Sequence, residues 1–164
     1  MPTPNFSATF EQVGTANSPT VVPGFARQVI KEGVATRTLR AAESGSLCCL
    51  DSATGVVYTL PSPVVGMTFE FEVTTSVTSN AHKIITNTAS EFLVGAVIMA
   101  SIATATVGGF SANGTTIRAL SANGSTTGGL IGERYTVTAI SSTQWAIHGV
   151  CIGSGTLATP LATS

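Results

Sequence analysis

Met67-Thr-Phe-Glu-Phe-Glu-Val73 is the stretch on which the fold turns. Met67, Phe69, Phe71 and Val73 alternate with Thr68, Glu70 and Glu72, the period of two that sends successive side chains to opposite faces of a strand. One face is apolar and the other is wet, so the strand belongs to a half-buried sheet. Working outward, Val56-Val-Tyr-Thr-Leu60 reads as a strand stopped by Pro61-Ser-Pro63, and His82-Lys-Ile-Ile-Thr86 as another following a polar turn. Arg134-Tyr-Thr-Val-Thr-Ala-Ile140 and Trp145-Ala-Ile-His-Gly-Val150 form a hairpin pattern with a four-residue connection.

Helix signals are thin. The Ala-rich run 96–105 is interrupted by β-branched residues and reads as strand and loop. Ser-Ala-Asn-Gly occurs twice, at 111–114 and 121–124, and Asn-Gly tolerates the positive φ that tight turns need, so the two copies predict a short strand from Thr115 to Leu120 between them. Two copies do not establish a repeat architecture. The fold class expected is all-β: an antiparallel β-sandwich or jelly-roll-like domain over residues 34–164, preceded by an extended N-terminal arm over residues 1–33.

The arm is read from its punctuation. Pro2, Pro4, Pro19 and Pro23 break a stretch whose apolar residues, Phe6, Phe10, Val13, Val21, Val22 and Phe25, hold no sustained period. Three Phe within 25 residues exceed what a solvated tail carries, so the segment is expected to bind a neighbour through Phe6, Phe10, Val21, Val22, Phe25 and Arg27. Arg27, Lys31, Glu32, Arg37, Arg40 and Glu43 then concentrate charge; a solvated connector and a contact surface of mixed charge both fit them.

Composition narrows the class. Only 9% of the 164 residues are charged, whereas about 25% is usual, and Ser and Thr make up about a quarter of the chain. Little repulsion separates such surfaces, as suits a protein covered by other subunits; a secreted hydroxyl-rich domain is the alternative. Seven basic residues against eight acidic ones argue against a nucleic-acid partner. The first residues carry no basic and then apolar leader, so the mature chain is expected to begin here. The apolar stretch Phe92–Ala103 is far shorter than the ~18 residues of a membrane span, so no membrane partner is expected.

The chemistry-bearing residues are few. Cys48, Cys49 and Cys151 have no zinc spacing, and free thiols are expected. Adjacent Cys48 and Cys49 in one strand point to opposite faces, so only one is expected to face the core. His82 and His148 sit in no recognisable catalytic context and read as hydrogen-bonded surface or core histidines. Glu70 and Glu72 have the i, i+2 spacing of a glycosidase pair, yet lie on the polar face of an ordinary strand. Trp145 reads as core. No catalytic residue, metal ligand or cofactor is expected.

Leu39-Arg-Ala-Ala-Glu-Ser-Gly-Ser-Leu-Cys48, the Thr59-Leu-Pro-Ser-Pro63 corner leading into the alternating strand, Ser79-Asn-Ala-His-Lys-Ile-Ile-Thr86 and Thr136-Val-Thr-Ala-Ile-Ser-Ser-Thr-Gln-Trp145 together resemble a family of small tailed-bacteriophage capsid decoration (cement) proteins. The same pattern is similar to β-modules of phage tail fibres. The resemblance covers about residues 37–150 and implies a non-enzymatic virion protein without cofactor. Such a protein sits on the outer capsid surface over junctions of the major capsid protein, commonly as a homotrimer, and is assembled in the host cytoplasm. The alternative it implies is a tail-fibre or receptor-binding module using loops such as 108–130.

Overall fold

The computed structural model describes residues 27–31, 33 and 35–164. In chain order the strands are β1 (Val29–Ile30), β2 (Thr36–Thr38), β3 (Leu47–Leu50), β4 (Val57–Thr59), β5 (Thr68–Val73), β6 (His82–Ile85), β7 (Phe92–Ser101), β8 (Val107–Asn113), β9 (Ala119–Ala122), β10 (Arg134–Ala139), β11 (Gln144–Gly153) and β12 (Leu161–Ala162). A single 3-10 turn spans Ala41–Glu43, so the described chain is all-β. A seven-stranded sheet runs β1-β3-β5-β10-β11-β7-β8, and a five-stranded sheet runs β12-β9-β6-β4-β2.

Both sheets are mixed, which corrects the antiparallel expectation. From β1 to β6 the chain alternates between them, odd strands in the larger sheet and even strands in the smaller. Pairings β1/β3 and β3/β5, and likewise β2/β4 and β4/β6, are parallel. The chain therefore winds as a coil, out along one sheet and back along the other. From β7 onward the pattern changes. β10 lies antiparallel between β5 and β11, β11 pairs parallel with β7, and β8, β9 and β12 close the ends antiparallel. Alternation within a strand reports which face is buried but not which strand lies alongside, so the direction of pairing was outside its reach.

The decisive strand is as read. Phe69, Phe71 and Val73 of β5 are buried, and Glu70 and Glu72 lie on the outer face. They join one core with Tyr58, Ile84 and Leu120 of the smaller sheet and Tyr135, Val137, Trp145 and Ile147 of the larger. The Tyr58 ring packs 5.6 Å from that of Phe71, linking the sheets, and its hydroxyl donates to the Cys49 carbonyl at 3.1 Å. Trp145 is fully buried with its ring 6.1 Å from that of Phe69. The hairpin β10–β11 has its four-residue connection, closed by Ile140 N–H donating to Gln144.

Both Ser-Ala-Asn-Gly copies end a strand and start the same turn. Asn113 Oδ1 accepts from Thr115 and Thr116 N–H, and Asn123 Oδ1 accepts from Ser125 and Thr127 N–H. Gly114 and Gly124 follow at φ 73° and 81°, where a side chain would be strained. The turn at Asn113 carries the chain from β8 to the other sheet and consumes the residues up to 117. The strand expected at Thr115–Leu120 accordingly lies at Ala119–Ala122.

Of the adjacent pair only Cys48 joins the core, as expected, while Cys49, on the other face of β3, is buried as well. Val29 and Ile30, within the segment 1–33, pair with β3, and Ile30 enters the core. Phe6, Phe10, Val21, Val22 and Phe25 lie outside the described residues.

His82 is a core residue. Its Nδ1 accepts from Val56 N–H at 3.2 Å and its Nε2 lies 2.9 Å from the Thr75 carbonyl, which fixes the neutral form with the proton on Nε2. Burial pulls its pKa below the ordinary 6.5. The unfolded chain therefore takes up this proton first as pH falls, and the stabilisation from neutral His82 is lost below the unfolded value. The expected outcome is that wild type loses more melting temperature than His82→Asn between pH 7.5 and 5.5; parallel slopes in thermal melts would refute it. Phe71→Ala, which empties the space beside Tyr58, should cost about 3–5 kcal/mol in urea unfolding, against less than about 1 kcal/mol for the outward Glu72→Gln.

Candidate functional site

The most unusual surface is the outer face of β7 and β11. Phe92-Leu-Val-Gly-Ala-Val-Ile-Met-Ala100 is apolar on both faces, the composition of a strand covered on both sides. Only one side is covered. Leu93, Val97 and Met99 point into the core, whereas Ile98 is 47% exposed. Register places Ile98 beside Val150, Val94 beside Ala146 and Ala100 beside Ile152. Val150 is 55% exposed, and Ile102 and Val107, at the turn joining β7 to β8, are 67% and 70% exposed. This is a contiguous apolar stripe in place of scattered residues, and such patches mark contact surfaces. His148, on the same face beside Ala96, is exposed, while its strand neighbour Trp145 faces inward.

The stripe runs into the edge of the sheet. β8 pairs with β7 on one side and closes the strand order on the other. Between β8 and the segment 155–157 lies a groove of about 550 Å³ lined by Val107, Gly108, Phe110, Thr156 and Leu157. A second apolar tip, Val64, Val65 and Ile140, sits at the opposite end of the strands, where Gly66 N–H donates to the Ala139 carbonyl.

Charge lies elsewhere, and part of it is paired within the chain. Arg27, the one expected contact residue within the described chain, pairs with Glu70, which also accepts from Arg134 across the sheet. The hydrogen-bonding guanidinium groups of Arg27 and Arg134 hold the Glu70 carboxyl below its ordinary range. That is the opposite of what a glycosidase acid needs, and the neighbouring Glu72 stands opposite Arg134 instead of facing a cleft. Arg37 pairs with Glu43, whose other oxygen accepts from Arg40 N–H at 2.8 Å and closes the 3-10 turn. Among the described residues no group of three His, Cys, Asp or Glu side chains is placed to hold a metal ion.

One cluster escaped sequence reading. Glu133 is fully buried, and its carboxylate accepts from Gly129 N–H at 2.7 Å, Leu130 N–H at 3.2 Å, Ile152 N–H at 2.7 Å and the Tyr135 hydroxyl. Burial pushes its pKa up against the pull of these four donors. Cys151 lies beside the same hydroxyl, so carboxylate, phenol and thiol adjoin. These are group types used in nucleophilic chemistry, but all three residues are fully buried. The carboxylate acts as a fastener, tying the turn at 128–130 to β10 and β11. A Cβ on Gly128 would stand 2.8 Å from Glu133 Oε1, so the turn admits only glycine there. No spacing rule could have announced the cluster, because its donors are mostly backbone N–H groups.

Compared with protein-family models, curated proteins and solved structures, the chain matches none.

The three cysteines are unpaired and buried. Burial pushes the Cys48 and Cys151 thiols up to about 12 and raises that of Cys49. Since the thiolate is the reactive form, Ellman's reagent at pH 8 should modify none of the three in the native protein and all of them in denaturant. Rapid labelling of a native thiol would show that the sheets open.

Proposed function

We propose that this chain is a structural virion protein, a capsid decoration (cement) protein of a tailed phage. In this reading its two sheets form a β-sandwich, the chain assembles as a homo-oligomer, most simply a trimer, and the N-terminal arm reaches onto neighbouring subunits. The partner is the major capsid protein at capsomer junctions on the outer surface. No catalytic step or cofactor enters.

The observation that carries the proposal is the outer face of β7 and β11, where β7 has the composition of a strand covered on both sides and one side is open. A chain with 9% charged residues has little else to keep such a face apart from a matching surface. The pattern of residues 37–150, read as similar to that of decoration proteins, favours the capsid as that surface. Attachment at several points per oligomer makes release rare even where each contact is weak. A tail-fibre module is the second reading, favoured by the paired Asn113 and Asn123 turns, which hold uncharged, hydroxyl-rich loops at the surface. Copy number in purified particles separates the two: close to that of capsomers for a decoration protein, close to that of fibres for the alternative.

The direct test is co-sedimentation with capsids stripped of this chain. Ile98→Lys should melt like the native protein, within about 0.5 kcal/mol, yet lose at least about tenfold in capsid retention, near 1.4 kcal/mol. Equal retention of native and substituted protein would exclude this face as the docking surface.

A further inference from the structure

We infer that the free edge of β8 takes residues Asn5–Phe10 of a second copy as an added strand, with Phe side chains entering the groove by Phe110 and Leu157. The inference rests on the reading that the N-terminal segment serves contacts between subunits, and it names where and how.

β8 differs from the other sheet edges among the described residues. β1 is two residues long, β2 is three and carries Arg37, and β12 is two and follows Pro160. Short length, charge and proline are the usual guards of a strand edge. β8 has seven residues, Val107-Gly-Gly-Phe-Ser-Ala-Asn113, with no charge and no proline. Its unguarded backbone is a template for an extended segment, and the groove beside it is what such binding uses to select side chains. Gly108 contributes the depth: a Cβ there would stand 3.5 Å from the Phe110 ring and 3.8 Å from Leu157.

The occupant is argued from the chain that precedes Arg27. Twenty-six residues lie before it. Within them Asn5-Phe-Ser-Ala-Thr-Phe10 is uncharged, lies between Pro4 and the distant Pro19, and alternates Phe6, Ala8 and Phe10 with Ser7 and Thr9. A strand added to β8 with that alternation turns its apolar side toward the groove. The segment leads into β1 at one edge of the larger sheet, with Arg27 reaching Glu70 on β5, and β8 is the opposite edge of the same sheet. Extended, the sixteen residues between Phe10 and Arg27 span up to roughly 55 Å, against about 29 Å across seven strands. When copies stand side by side, the β1 edge of one faces the β8 edge of the next. Such head-to-tail contacts give a ring when the rotation between copies closes and an open filament when it does not.

The test is hydrogen–deuterium exchange on the full chain over a concentration series, with light scattering on the same samples. The β8 amides that point away from β7 should exchange at least tenfold more slowly in the oligomer than after dilution to monomer. In Phe6→Ser/Phe10→Ser they should exchange fast at every concentration while β10 and β11 stay as protected as in the native chain. Fast β8 exchange within an intact oligomer overturns the inference and leaves the capsid reading to its own retention assay. Protection independent of concentration assigns the edge to the chain's own N-terminus and overturns it as well. So does a double variant that keeps both the oligomer mass and the protection.

Discussion

Two parallel strands cannot be joined by a hairpin, because the chain must first return to the end from which it started. In most proteins a helix makes that return, but in this chain good helix formers cluster nowhere for more than a few residues. The return path is itself a strand in the other sheet, so each circuit from β1 to β6 leaves one strand on each side of a shared core. Much else follows from that constraint. Even strands need apolar side chains on the face turned toward the odd ones, which is the place of Tyr58 and Ile84. The connections are also short, five to eight residues, since each need only step across the core and not run back along it.

The second half stops the coil. β10 inserts antiparallel against β5, and from there the larger sheet grows by a hairpin and by the long parallel pair β11 and β7. The buried Glu133 carboxylate stands where this closure is made, binding N–H groups from the turn before β10 and from the end of β11. A carboxyl so placed is tolerated because four donors surround it, and losing one of them weakens that compensation where water cannot replace it.

How far the sequence disclosed this depended on the kind of information required. β5, β4, β6 and the β10–β11 hairpin were legible because their alternation or turn is local, and Trp145 was correctly placed in the core. Parallel pairing was not legible, since the partners of β3 lie about twenty residues away on either side with a strand of the other sheet between them. The strand after Asn113 was misplaced because the Asn side chain spends several residues on its own turn. Of the surface, the apolar run in β7 was visible as a run, but its open side required the register with β11. Arg27, expected to contact a neighbour, also pairs with Glu70 within its own chain.

That pairing bears on how the molecule carries load. Tension arriving through the segment before Arg27 meets the ion pair to Glu70 first, then β1, which is held to β3 over only two residues. Because β1 to β6 are wound in sequence, such a pull peels the coil from its outer edge one strand at a time. The ten-residue register between β7 and β11 lies at the far side of β5 and β10 and is spared until last. The fold therefore has a yielding end and a resisting one, and the N-terminus is attached to the end that yields.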